Sequence, residues 1–184
     1  MDINNKSLLL KLKRHLKTHK YNNKNSFMLY SDEATKYISK KNQKKFIGVF
    51  TPDKLKNIDE NGIYLLNLQS SKDGNGTHFV VLCVFKNFNL YIDTYGLVPD
   101  IRLKRLMKKS NKQNYRNNYC FQSFIKQDTT YCGVMSLLLA DKLINKKSPE
   151  ECEKVLLTYG VKLKKLLDKL ESGGKVLDQI TRTK

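Results

Sequence analysis

The chain has 184 residues, with 35 lysines and arginines against 17 acidic residues, a formal net charge of +18, four cysteines, three histidines and no tryptophan. One domain is the default at this length, and folding buries about 70% of the unfolded surface, so a core needs neither disulfides nor a metal. A hydrophobic content of 40% excludes a wholly disordered chain, and no apolar run approaches the roughly 20 residues that span a bilayer. The charge points to a polyanion, because neutralised phosphates release condensed counterions, although a lysine-rich compositional bias accounts for it as well.

Lys6 to His19 sets Leu8, Leu9, Leu12 and Leu16 at helical spacing among basic residues, predicting a short basic amphipathic helix. His15 and His19 lie four apart on it, but without a third ligand nearby they read as solvated, so no metal site is assigned. The same stretch has no small-residue cleavage site and is not a signal peptide, which predicts an intracellular chain with free thiols. Asn22 to Ser26 reads as a polar linker, and Ser31-Asp32-Glu33-Ala34 opens a helix to about Lys41. Phe46 to Phe50 is a short apolar run, followed at Thr51-Pro52-Asp53 by a turn or a new helix start.

Strands are predicted at Gly62–Leu68, His78–Phe85 and Leu90–Asp93, joined by a loop at Ser70–Gly76 and a turn at Lys86–Asn89. Ile101, Leu103, Leu106 and Met107 predict a basic helix that dissolves in the polar run Lys108 to Asn118. Tyr119 to about Lys126 reads as a further strand, Gln127 to Tyr131 as a loop, and the chain from Cys132 through Leu139 as a mostly buried helix. Ser148-Pro149-Glu150-Glu151 is a capping box with proline at the first helical position. It opens one apolar stripe, from Cys152 through Leu156, Leu163 and Leu167 to Leu170, that Ser172-Gly173-Gly174 stops. The expected fold is α+β: a single domain with a central mixed β-sheet flanked by helices, and Cys132 at the N-terminus of a central buried helix. Its parts are a basic N-terminal helix and linker (1–25), a central core (26–145) and a C-terminal amphipathic helix and tail (146–184).

Three residues in this body carry chemistry. His78 begins one strand and Asp93 ends the next; paired strands lie about 5 Å apart, so the two side chains can meet at one end of the sheet, the carboxylate holding the imidazole tautomer. Cys132 opens a helix after a polar loop, where unpaired amides and the helix dipole favour a thiolate. Together they have the layout of an activated nucleophile, with the Cys132 amide and a side-chain amide, Gln127 or else Gln122, as oxyanion donors. Taken singly, each has an ordinary role: a core thiol, a hydrogen-bonded histidine, a turn-forming aspartate. Cys83, Cys120 and Cys152 are assigned to packing.

In order, Gly-Thr-His78-Phe-Val-Val, Tyr-Ile-Asp93-Thr-Tyr-Gly96 and Gln127-Asp-Thr-Thr-Tyr-Cys132-Gly133-Val resemble the adenovirus maturation protease and the SUMO-specific proteases that share its fold. Phe46 to Leu55 is similar to a segment preceding the catalytic histidine in the versions carried by virophages and polinton-type elements. The resemblance covers about Ser31 to Ile144. It implies a triad with His78 as base, Asp93 as its orienter and Cys132 as nucleophile, and Gln127 in the oxyanion hole; Gln122 stays an alternative because the Gln127 loop is short against the adenoviral pattern. Phe79 stands where the family commonly has tryptophan, which implies a changed aromatic wall of the cleft.

The resemblance further implies a viral cysteine endopeptidase that matures capsid and virion precursor proteins. No cofactor is required for the chemistry, with DNA or a viral peptide as activator. A monomer is implied, located in the virion and the cytoplasmic virus factory, touching viral DNA through its basic surface and no membrane. The competing readings are a protease that deconjugates ubiquitin-like modifiers and a non-catalytic basic DNA-binding virion protein.

Overall fold

A computed structural model describes residues 31–32, 34–35, 45–51, 53–68, 78–117, 121 and 131–172, with the side chains of 169–172 excepted. The expected N-terminal helix and linker, the Ser70–Gly76 loop, most of the Tyr119–Lys126 strand, Gln122, Gln127 and Cys120 lie outside the described residues. Residues 31, 32, 34 and 35 are helical, and Ala34 is fully buried in the core.

The body is one α+β domain around a mixed five-stranded sheet in chain order: β1 (Phe46–Phe50), β2 (Gly62–Asn67), β3 (Phe79–Val84), β4 (Phe88–Asp93) and β5 (Gln113–Arg116). The β1–β2 and β4–β5 pairs are parallel; β2, β3 and β4 run antiparallel. β2, β3 and β4 are buried almost throughout. Their near-continuous apolar sequences serve two cores, because alternate side chains point to opposite faces.

One face carries Ile63, Leu65, Phe79, Val81, Cys83, Leu90 and Ile92. It packs against α2 (Cys132–Leu143), α3 (Pro149–Val155) and α4 (Val161–Ser172). The other carries Tyr64, Leu66, Val80, Leu82, Val84 and Tyr91 and is covered by Leu55, Ile58 and the Leu103 and Met107 side of α1 (Ile101–Lys109). Gly62 sits where β1 crosses close to β2: its φ is +158°, and a Cβ there would lie 2.6 Å from the Lys45 carbonyl oxygen and 2.6 Å from Ile47. Glycine is required at that crossing.

Two elements differ from the sequence reading. The polar run after α1 contains strand β5, whose side chains are mostly exposed, so it has no apolar alternation to betray it. Its backbone is held by the parallel ladder to β4 and by Asn89, whose Nδ2 donates to Ser110 Oγ and Asn114 Oδ1 at 2.7 and 2.8 Å. The C-terminal stripe is also not one uniform α-helix: a π-helical turn at Leu156–Gly160 separates α3 from α4. Phe121 packs on Gly160 there, and a Cβ on that glycine would come within 2.8 Å of its ring. The start of α3 forms as expected, with Ser148 Oγ accepting from Glu151 N and Pro149 in the first turn. The Glu151 carboxylate reaches back to Lys147 N, one residue before the cap.

Candidate active site

His78 lies immediately before β3, and its carbonyl accepts from Leu68 N at 2.8 Å, which extends the β2–β3 ladder and clamps its backbone. Asp93 is the last residue of β4, paired in register with Val80. The two side chains meet at this end of the sheet, with His78 Nε2 2.9 Å from Asp93 Oδ1. A carboxylate offers only acceptors, so Nε2 carries the proton and, in the neutral ring, Nδ1 keeps the lone pair.

The carboxylate is held from several sides. Oδ1 also accepts from Tyr95 N at 2.7 Å, and Oδ2 lies 3.3 Å from the Tyr91 hydroxyl that donates to it. Asn117 grips the Asp93 backbone twice, accepting from its N–H at 2.9 Å and donating to its carbonyl at 3.1 Å. That clamp belongs to residues just past β5, an element the sequence pattern does not reveal. The Tyr95 ring lies over the imidazole, with centroids 4.6 Å apart and a 40° tilt. Phe79, expected in the cleft wall, is instead buried in the core beneath α2. Strand alternation turns the residue after His78 inward, and Tyr95 supplies the aromatic contact.

Cys132 is the first residue of α2 and only partly buried. Its N-cap, Tyr131, gives no side-chain cap, so the first-turn amides of α2 are not claimed by the residue that normally satisfies them. Tyr131 is held from behind: its buried hydroxyl donates to Asp168 Oδ1 on α4 at 2.7 Å. One turn into α2, Ser136 Oγ donates to the Phe79 carbonyl at 2.9 Å. This buried bond pins the helix that starts with Cys132 to the residue next to His78.

His78 Nδ1 is buried and makes no regular hydrogen bond among the described residues. The Cys132 sulfur is nevertheless near enough to favour the imidazolium. Burial alone lowers the imidazole pKa, but the Asp93 bond and the Cys132 thiol outweigh it and push the value up to about 9. The structure thus brings His78, Asp93 and Cys132 together. The other described cysteines differ in kind: burial raises the Cys83 thiol well above its ordinary value and pushes Cys152 up to about 12. Both sit in the core under the helices.

Fold and site together define an α+β protein in which Cys132, His78 and Asp93 meet at one end of a mixed sheet. The sequence matches no protein-family model and no curated protein. Among solved structures, the fold is similar to that of the ASFV pS273R protease, with a TM-score of 0.40 and 16% identity. The match covers 70% of this chain and 66% of that one, so this chain spans somewhat less than two-thirds of that protease.

Proposed function

We propose that the protein is a cysteine endopeptidase in which Cys132 is the nucleophile, His78 the acid–base group and Asp93 its orienting carboxylate. The observation that carries this reading is the divided imidazole: Nε2 is committed to a buried carboxylate, while the buried Nδ1 has no regular bond and the Cys132 sulfur stabilises the ring's charge. A histidine so placed can take the thiol proton as the sulfur attacks, the thiolate being the reactive form of cysteine.

Cys132 Sγ attacks the scissile carbonyl carbon, the C–S bond forms, and the carbonyl electron pair moves onto oxygen. The first-turn amides of α2 lie beside the nucleophile as donors to that oxyanion, and Gln127 or Gln122 is proposed as the side-chain donor. His78 Nδ1–H then protonates the amine nitrogen as the C–N bond breaks, leaving a thioester. Water gives a proton to Nδ1 and attacks the thioester carbon, releasing acid and thiolate.

From the resemblance carried by the His78, Asp93 and Cys132 segments, we propose virion precursor proteins as the substrates. Incubating the protein with candidate virion precursor proteins, and sequencing the new termini, tests this. Cleavage lost in Cys132→Ala, with the fold intact by circular dichroism, is expected; unchanged cleavage by that variant overturns the assignment.

A further inference from the structure

The helices α1, α2 and α3 begin in two different ways. α1 and α3 start on side-chain caps: Asp100 accepts from Leu103 N at 2.7 Å, and Ser148 Oγ accepts from Glu151 N at 3.3 Å. Both cap residues have the extended backbone usual for that position, with ψ of 168° and 158°. α2, which carries Cys132, has no such cap, and Tyr131 before it turns with φ −95° and ψ 9°. The tyrosine side chain fixes this start instead. Its ring is fully buried in the same core as Leu163 and Leu167 of α4, and its hydroxyl donates to Asp168 Oδ1 at 2.7 Å. The other oxygen of that carboxylate is paired with Lys164 Nζ, one turn earlier on α4. The Lys164 and Asp168 side chains are 34% and 40% exposed, so the ion pair by itself stabilises α4 little. What it does is hold an ionised acceptor in place for a buried hydroxyl, and hydrogen bonds to an ionised partner are the strong ones.

We infer that Asp168 is a positioning residue for the nucleophile, acting through the Tyr131 hydroxyl. The Tyr131 carbonyl and the Cys132 N–H belong to one peptide plane. The carbonyl accepts from Met135 N at 2.8 Å, which ties that plane to the body of α2. The bond to Asp168 ties the Tyr131 Cα to α4 through a rigid ring with few torsions to relax. Held from both directions, the plane sets where the Cys132 N–H points, and this N–H is among the first-turn amides proposed as oxyanion donors. It also sets the Cα–Cβ bond that carries the sulfur toward His78. An error of about 1 Å in such a placement can cost about 100-fold in rate. The C-terminal helix therefore belongs to the geometry of the reaction, through a side chain that stands behind the nucleophile.

The inference rests on the peptidase reading for its kinetic readout, but the placement of Cys132 can also be measured without it. Full-length variants are compared in two assays: kcat and KM on a fluorogenic peptide, and the rate at which iodoacetamide alkylates Cys132 at pH 8. Tyr131→Phe removes only the hydroxyl and leaves Asp168 paired with Lys164, so the fold is kept. It is expected to lower kcat by about 10-fold or more with KM within about 2-fold, and to slow alkylation several-fold. Asp168→Ala should match it. Asp168→Asn keeps an oxygen for the hydroxyl and should recover kcat to within about 3-fold of wild type. Leu166→Ala trims packing between α4 and the core without touching the bond, and should leave kcat unchanged well below its melting temperature. Wild-type kcat and alkylation in Tyr131→Phe overturn the inference. An equal fall in Leu166→Ala, or no recovery in Asp168→Asn, also overturns it, because the effect would then belong to the packing of α4. A wild-type protein that cleaves no peptide refutes the peptidase assignment instead, and the order of alkylation rates among the same variants then decides the role of Asp168.

Discussion

Replacing Asp93 with asparagine removes one charge and little else. Asparagine can keep its oxygen where Oδ1 accepts from Tyr95 N and His78 Nε2–H, and place its NH2 against the Tyr91 hydroxyl, which can turn to accept. What disappears is the first of the two influences, ahead of the Cys132 sulfur, that together hold the His78 imidazole up to about 9 against its burial. The whole distance from about 9 to the ordinary 6.5 is of order 3 kcal/mol in favour of the imidazolium, at about 1.4 kcal/mol per unit, and Asp93 shares it with the Cys132 sulfur. At pH 8 a return to 6.5 takes the protonated fraction from about 0.9 to about 0.03, so kcat/KM should drop there by several-fold up to about 30-fold, and by much less at pH 6.

The sign for stability follows from the same shift. Because the folded-state pKa is raised, the stabilisation is present in full below pH 6.5 and is lost as pH rises through about 9. The wild-type protein should therefore lose unfolding free energy between those values, and Asp93→Asn should lose much less over the same range. The assays are the pH profile of kcat/KM on a fluorogenic peptide and urea unfolding at several pH values. An alkaline limb that stays near pH 9 in Asp93→Asn would refute the assignment of this carboxylate as the group that holds the imidazolium.

The thiols should separate by reactivity: iodoacetamide at pH 8 modifies Cys132 in the native protein, while Cys83 and Cys152, fully buried with raised pKa values, react only after unfolding. Peptide mass spectrometry checks this, and native modification of Cys83 at the rate of Cys132 would contradict it. Asn117→Ala strips two bonds from the buried Asp93 backbone and should cost about 2 to 6 kcal/mol of unfolding free energy, since each unsatisfied buried group costs about 1 to 3; a loss under about 0.5 kcal/mol would show that Asp93 is held by its strand alone. Gly62→Ala sets a Cβ 2.6 Å from the Lys45 carbonyl at positive φ and should destabilise by about 2 kcal/mol or more, read as a lower melting temperature.

How far the sequence reveals this molecule depends on whether a feature is written in side-chain burial. β2, β3 and β4 are buried on both faces, and α2 nearly all round, so their apolar runs announce them. Because β3 and β4 form a tight hairpin, the positions of His78 and Asp93 at its open end follow from strand lengths alone. β5 is different: it is a polar edge strand whose pairing is made by backbone and by the Asn89, Ser110 and Asn114 side chains, and hydrogen bonding of that sort leaves no periodic trace. The consequence reaches the site, since Asn117, which fixes the Asp93 backbone, stands at the end of that strand. The π-helical turn is hidden for a related reason, as it adjusts the stripe by local backbone geometry while Cys152, Leu156, Leu163 and Leu167 still reach the core. Charge is legible as a total and as basic runs, but not as a surface. The total of +18 names no surface, and it gains a location once the fold divides the basic run of α1 and β5 from the balanced helices on the far side of the sheet.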